Sequence, residues 1–526
     1  GGIMFTYYRL TISFIFLMLL TTVSISQPLS GNYNCGSGQT FTTLTGTGSA
    51  GFFNAVNTRG LSGNVTLYIT SNITESGSIS LQQWSGGYTI TIRPSSASLK
   101  TLSGNVGSPL INLNGADGLT IDGRHSGSGR YLRCVNSSTG GQTIRFINDA
   151  RNNTITYCAV DGARVSSTSG IIDFATTTGS NGNDNNTISY CTIKDAGSGT
   201  LQNAIVSYGT TSTTARYNSG ITISNNEIID VYRNAQSCSA ILLLNGSTNF
   251  TITGNSIYQT ATRTPTNATS WNLIHVNTSV ANDLDISNNY LGGTAANCGG
   301  SAWTVSGGQS NAIYFIRMQS IGSSTASSVN GNTIANVNFT TTPSSSGVGY
   351  FAGIVVESGI VNVGTSSGNT IGNTTSNGNI TINVNGSTDN IITRGIYHSA
   401  AGNIENNTIG SITLAGNNNR TVRLECIYRS GTLSSDININ NNMVGSTTQS
   451  NSIQQTSSTF RFQITGIHSQ VNSVLVTMDG NTVSNHRVTN TNSDSRIRGI
   501  FQARSTNASL SVNNNIISNL YCASSS

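Results

Sequence analysis

Apolar and polar residues alternate in short runs along most of the chain. Ile221-Thr222-Ile223, Thr251-Ile252-Thr253, Asp285-Ile286-Ser287 and Ile437-Asn438-Ile439 each carry a period of two. That period sends successive side chains to opposite faces of a strand and predicts one buried face. The buried positions are rich in β-branched residues, which fit a pleated surface. Helix-period patterns of useful length are missing, with one exception near the N-terminus. There Phe52, Phe53 and Val56, between Gly51 and Gly60, predict a short amphipathic helix, with a strand following from Val65 to Ile69.

The strands are punctuated by one phrase: two small polar residues, any residue, then Ile or a relative. Its second residue is Asn153, Asn186, Asn226, Asn255, Asn289, Asn332, Asn369, Asn407, Asn442, Asn481 and Asn515. The mean spacing is about 36 residues, a period that implies a solenoid or a propeller. A propeller blade needs four antiparallel strands with hairpin turns, and that pattern is missing. Strand, tight corner, strand and variable loop, repeated in one direction, predict an all-β chain wound as a right-handed parallel β-helix. The eleven asparagines are then expected to line up along one edge. A second phrase, at Gly395-Ile396-Tyr397, Cys426-Ile427-Tyr428, Gly466-Ile467-His468 and Gly499-Ile500-Phe501, predicts an inward aliphatic ladder and an outward ladder of rings.

Stacking in register makes further expectations. Cys158 and Cys191 lie five residues after their repeat asparagines and should sit one coil apart, as either a vertical disulfide or a stack of free thiols. The remaining cysteines have no comparable partner, and no Cys-x-x-Cys spacing supports a zinc site. Arg394 and Glu425 occupy one slot in successive repeats and should pair across coils. Residues 27–118 differ in texture and read as an N-terminal cap with a first β region, the short helix covering the open end of the solenoid. Residues 119–526 read as the repeats. The repeat pattern runs to Ile517 with no closing cap, so the chain is expected to be a fragment of a longer protein.

Residues 1–26 read as a secretory signal peptide. Arg9 precedes an apolar run from Leu10 to Val23, and Ser24 and Ser26 give a small-x-small cleavage pattern. The run is too short for a membrane span, so the expected location is secreted or on the cell surface. Charged residues are only 8%, against roughly 25% in a typical soluble protein. The net charge of +5 is scattered, with no basic stripe of the kind nucleic-acid binding needs. Disorder by charge repulsion and long-helix architectures are excluded by the same composition.

The corners, the Gly-Ile-ring strands and the run Leu119-Thr120-Ile121-Asp122-Gly123 together resemble secreted right-handed parallel β-helix proteins of the pectate-lyase-like superfamily. More narrowly, the chain resembles large repeat-rich surface proteins of Bacteroidota. The resemblance covers about 120–520 strongly. It implies a fold and an extracellular setting, and the superfamily's enzymes would imply clustered carboxylates along the solenoid, with calcium in the lyases.

The spacing of the acids suggests one such cluster. Asp161 and Asp195 fall eight and nine residues after their asparagines and should approach each other on adjacent coils, with Lys194 and Arg164 nearby. These four are the candidates for acid–base chemistry or calcium. Two function classes follow. One is a noncatalytic extracellular scaffold or adhesin that needs no cofactor and meets polysaccharide or cell-surface glycans. The other is a lyase or glycoside hydrolase acting on acidic polysaccharide. The composition favours the scaffold. Ice binding through flat threonine rows is a weaker third, because Thr-x-Thr does not recur in every repeat.

Overall fold

A computed structural model describes residues 27–343, 349–386, 390–417, 420–457, 461–472, 474–490, 494–503 and 509–523. The expected signal peptide lies outside the described residues. Corners come first in building the fold. Asn152, Asn185, Asn225, Asn288, Asn406, Asn441 and Asn514 hold φ between 54° and 61°, and Gly254, Gly331 and Gly480 between 65° and 69°. Glycine has no Cβ to clash in this left-handed region, and asparagine can bond locally to offset the cost. In these ten phrases the first residue therefore turns the chain and leaves the second free for another task, whereas Gly368 opens the eleventh without a left-handed φ.

Between corners the strands join three ladders, and every ladder pairing is parallel. Sheet 1 has 15 strands, from Leu29–Cys35 to Ser509–Asn513, and sheet 2 has 13, from Leu81–Gln82 to Arg496–Gln502. Sheet 3 runs from Ile73–Thr74 to Ile516–Cys522. After Tyr290–Leu291 it forks. A second branch, starting at Trp303–Val305, runs alongside until both branches meet Thr482–Val488. The chain is a parallel β-helix. At the usual strand spacing its 15 coils extend roughly 70 Å.

The helix Phe52–Arg59 closes the N-terminal end as expected. It buries Phe52, Phe53, Ala55 and Val56, and Phe52 meets Phe41 edge-on at 5.2 Å. Gly60 ends it at φ 68°, its N–H bonded to Val56 O at 2.8 Å. The strand ladder runs through the textural change at 118–119 without a break, since Ile90 pairs with Leu119. Coils of the same kind therefore start at Leu29, inside the region read as a cap.

The core is a set of columns. In sheet 2 one column is isoleucine in twelve successive coils, at 111, 144, 172, 205, 241, 274, 316, 354, 396, 427, 467 and 500. Each fully buried isoleucine is worth about 2–3 kcal/mol of apolar transfer, an upper estimate. At two coils the residue before the isoleucine is held to glycine by its neighbours, although the coil between them carries Cys426 there. A Cβ on Gly395 would lie 2.5 Å from Cys426 O, and one on Gly466 would lie 2.5 Å from Val483 Cγ1.

Asparagine columns form too, with a correction. From Asn226 to Asn515 nine side chains make one continuous ladder. In each step the main-chain N–H and the Nδ2 of one asparagine donate to Oδ1 of the next, at 2.9–3.1 Å. Nδ2 also donates back to the preceding coil, as Asn332 does to Ile286 O at 2.9 Å. Asn153 and Asn186 are not in this ladder. They bond to each other at another corner, before the sheet 1 strand rather than after it. The register shows why, because Thr187-Ile188 pairs with Thr222-Ile223 and not with Glu227-Ile228. Both corners need a left-handed residue, so the same wording serves either. The slot below Asn226 belongs to Cys191, whose N–H donates to Asn226 Oδ1 at 2.9 Å.

Candidate functional site

The most structured outer surface is that of sheet 2 over its last coils. The register sets Tyr397, Tyr428, His468 and Phe501 in one column and Arg394, Glu425, Thr465 and Arg498 in the next. The rings follow one another at 5.7, 4.9 and 4.9 Å, so a ring stands on each of four coils. The Arg394 guanidinium lies over both Tyr397 and Tyr428, at 4.7 and 4.6 Å from the ring centroids. Its Nε meets Glu425 Oε2 at 3.0 Å, and His468 Nδ1 meets Oε1 of the same carboxylate at 3.0 Å.

The expected Arg394–Glu425 pair is therefore present, but it is not a solvent pair. The two side chains are only 6% and 8% exposed. Burial works to raise the Glu425 carboxyl. The hydrogen bond from His468 and the charge of Arg394 outweigh it and hold the group below the usual carboxylate range. Breaking a pair this buried strands a charge, at a cost of about 3–5 kcal/mol. The result is a rigid strip of rings and guanidinium groups, with ring edges and hydroxyls turned outward to meet the apolar edges and hydroxyls of sugars.

A second aromatic platform stands at the corner after the early sheet 1 strands. Tyr157 and Tyr190 stack at 4.7 Å and 9°, with the Arg124 guanidinium 4.5 Å from the Tyr157 ring. Both tyrosines are left-handed, at φ 52° and 53°. That backbone costs a tyrosine roughly 1–2 kcal/mol, and Tyr190 stays 41% exposed.

The predicted acid cluster is rearranged. Asp161 lies level with Lys194, while Asp195 lies level with Gly162. Asp161 is fully buried and is held by Arg133, at 2.7 Å from Nε and 2.6 Å from Nη2. Burial raises its carboxyl, against the charge of Arg133 and of Lys194. Arg164 does not partner Asp161. It donates to Ser169 Oγ at 3.1 Å and to Gly140 O, bracing the loop that follows. Asp195 is spent on its own loop, accepting from Gly197 N–H, Gly199 N–H and Ser198 Oγ.

Lys194 and Asp195 do line a groove of about 340 Å³, together with Asp230, Tyr232 and Arg263. The last three were missed because they fall in a loop and a neighbouring coil. Their carboxylate too is engaged, with Arg263 2.7 Å from Asp230. Another missed acid, Asp173, lines a groove of about 300 Å³ with Gln142, Arg145 and Tyr208. Burial pushes its carboxyl up to about 6, against hydrogen bonds from Ser169, Gly170 and Gln142. Its signal was the alternation Ile172-Asp173-Phe174, which places an acid on an outer face.

Cys158 and Cys191 are buried free thiols in adjacent slots. Their sulfurs lie 3.2 Å from Thr156 O and Ser189 O. The Cys158 thiol is pushed well up by its hydrogen bond to Cys191 and by burial. Among the described residues no three His, Cys, Asp or Glu gather as metal ligands, and no helix is long and apolar enough to cross a membrane.

No family model and no curated protein matches the chain. Among solved structures, the A-module of a mannuronan C-5 epimerase from Azotobacter vinelandii is similar over 86% of this chain and 91% of its own, at 10% identity and a TM-score of 0.32. The fold rests on the strand register set out above.

Proposed function

We propose that this protein is a secreted or cell-surface scaffold that binds glycans and does not turn them over. The observation that carries the reading is the ring column of Tyr397, Tyr428, His468 and Phe501, fixed at coil spacing on the outside of a rigid tube. Rings in a row, with arginines in the next column, suit an extended sugar chain lying along the solenoid. The state of the acids supports the noncatalytic half of the reading. Asp161, Asp195, Asp230 and Glu425 are each committed to an arginine or to backbone N–H groups. General acid–base work on a glycosidic bond needs carboxyl groups free to exchange protons with substrate. The extracellular setting draws on the leader-like residues 1–26 and on the resemblance to β-helix surface proteins of Bacteroidota.

The alternative is a lyase or hydrolase acting on acidic polysaccharide, with calcium in the lyase case. Two observations favour it: Lys194, Asp195, Asp230, Tyr232 and Arg263 share a groove, and Asp173, its carboxyl pushed up to about 6 by burial, lines another. A polysaccharide panel assayed for binding, for reducing ends and for unsaturated uronates, with and without calcium, separates the two. Binding without product is the expected result. Turnover abolished by Asp195→Ala or Asp230→Ala overturns the scaffold reading in favour of the enzyme.

A further inference from the structure

Nine arginines of the described residues are matched to acids. Arg124 meets Asp122, Arg130 meets Glu227, Arg133 meets Asp161, and Arg317 meets Glu357. Three arginines near the C-terminal end of sheet 2 break the pattern. Arg423 stands in register with Gln463 and then Arg496, and Glu425 stands in register with Thr465 and then Arg498. All three arginines line a groove of about 270 Å³ on the outer face, with His468 and Phe501 beside them. Among the described residues the only carboxylate lining that groove is Glu425, and both of its oxygens are taken, by Arg394 and by His468. Among the described residues no acid pairs with Arg423, Arg496 or Arg498, and Arg423 Nε is buried without a hydrogen-bond partner. The three cations also face one another. The Arg498 guanidinium is pushed below its usual range by burial and by the charges of Arg496 and Arg423.

The geometry points to an oxyanion subsite, in which Arg423, Arg496 and Arg498 grip the carboxylate or sulfate ester of a sugar residue lying against Phe501. This rests on the glycan-binding reading and adds a charge requirement to it. A guanidinium presents a planar fork of donors that matches either oxyanion. Like charges gathered without a counter-charge leave an attraction that an incoming anion satisfies. The Arg498 guanidinium lies 3.9 Å from the Phe501 ring centroid, so its position is fixed by packing before any ligand arrives. The ring and cation columns continue toward Tyr428 and Arg394, which gives the rest of the sugar chain a track along the tube.

The test uses the whole chain and three matched sets of oligosaccharides, neutral, uronate-bearing and sulfated, with inorganic sulfate and single-stranded DNA as further probes. Binding is measured by calorimetry at low and high salt. At least one anionic set is expected to bind about ten-fold tighter than the neutral set, a difference of about 1.4 kcal/mol, and to weaken as salt rises. Arg496→Ala should remove most of that preference, Arg498→Ala should remove it together with part of the neutral binding because Arg498 packs on Phe501, and both should leave the circular dichroism spectrum unchanged. Arg498→Lys should recover only part of it. Arg130→Ala, whose guanidinium already has a carboxylate, should change nothing. Equal affinity for neutral and anionic sets, or a preference untouched by both alanine variants, overturns the subsite and leaves the glycan reading standing. Inorganic sulfate binding as tightly as the sulfated sugars, or DNA binding more tightly than any sugar, also overturns it. No binding to any oligosaccharide removes the glycan reading itself.

Discussion

The coils up to Ser224 and those from Asn226 onward solve the same corner with different atoms. In the later coils an asparagine fills the inner slot and ties its neighbours on both sides through its side-chain amide. In the earlier coils Cys158 and Cys191 fill that slot, and the preceding left-handed residue is Tyr157 or Tyr190 rather than Asn or Gly. What persists is the backbone requirement and the burial of a small side chain. The hydrogen-bond partner is optional. The corner is thus a shape first and a network second, and the later coils add the network.

The largest effect that would sharpen this contrast is Asn332→Ala. It removes the acceptor of two Asn289 donors and the donor to Ile286 O. Buried polar groups left alone cost about 1–3 kcal/mol each, so the flanking coils should lose roughly 4 kcal/mol of local stability. Hydrogen exchange reads this coil by coil. A loss below about 1 kcal/mol would mean that the ladder contributes no more than packing.

Acid should pull the two regions in opposite directions. In the early coils burial pushes the Asp173 carboxyl from 3.8 up to about 6. The folded state then prefers the protonated acid, so stability is fullest below 3.8 and is lost as pH rises through 6. In the late coils burial drives His486 from 6.5 down to about 4, and burial with the nearby Arg429 drives His398 well below its usual value. The folded state refuses protons that the unfolded chain takes up, so that stability is present above 6.5 and is lost as pH falls through 4. Hydrogen exchange at pH 4 and 6.5, corrected for intrinsic rates, should show slopes of opposite sign, each roughly 2–3 kcal/mol. Slopes of one sign would break the comparison.

A smaller effect tests whether the slot is interchangeable. Cys191 Sγ already faces Ile155 O at 3.6 Å, and Asn226 Nδ2 makes the equivalent contact with Ile188 O at 2.9 Å. Cys191→Asn should extend the ladder by one member and change stability by no more than about 1 kcal/mol. A loss of about 3 kcal/mol or more would show that the early corner has its own shape. The smallest effect concerns rates alone. Burial pushes the thiols of Cys134 and Cys238 up to about 12, whereas Cys522 is exposed. A thiol reagent applied to the native protein should label Cys522 and spare the buried sulfurs until unfolding.

The fold was legible because inward positions repeat. Ile396, Ile427, Ile467 and Ile500 stack as their shared phrase predicts, since a buried column admits little change. Register was harder to read. Asn153 and Asn226 share a phrase but turn different corners, and only strand pairing separates them. The same blindness hid a row of seven threonines on the outside of sheet 1, at 66, 91, 120, 154, 187, 222 and 251. Counting Thr-x-Thr misses it, because the second place is often serine or an acid. The arginine groove was least legible. Arg423 and Arg496 lie far apart in the chain, and no local spacing announces that two windings bring them onto one face.

The asparagine ladder also has a direction. Each finished winding holds out two donors toward the C-terminal side, and only the oxygen of the next asparagine satisfies both. In the coils from Asn226 onward, a chain made from its N-terminus therefore meets a primed socket at each turn. An incoming segment displaced by one residue would leave that socket empty and would turn its isoleucines outward. The amide thus specifies the register of the later windings alongside the burial of their isoleucines.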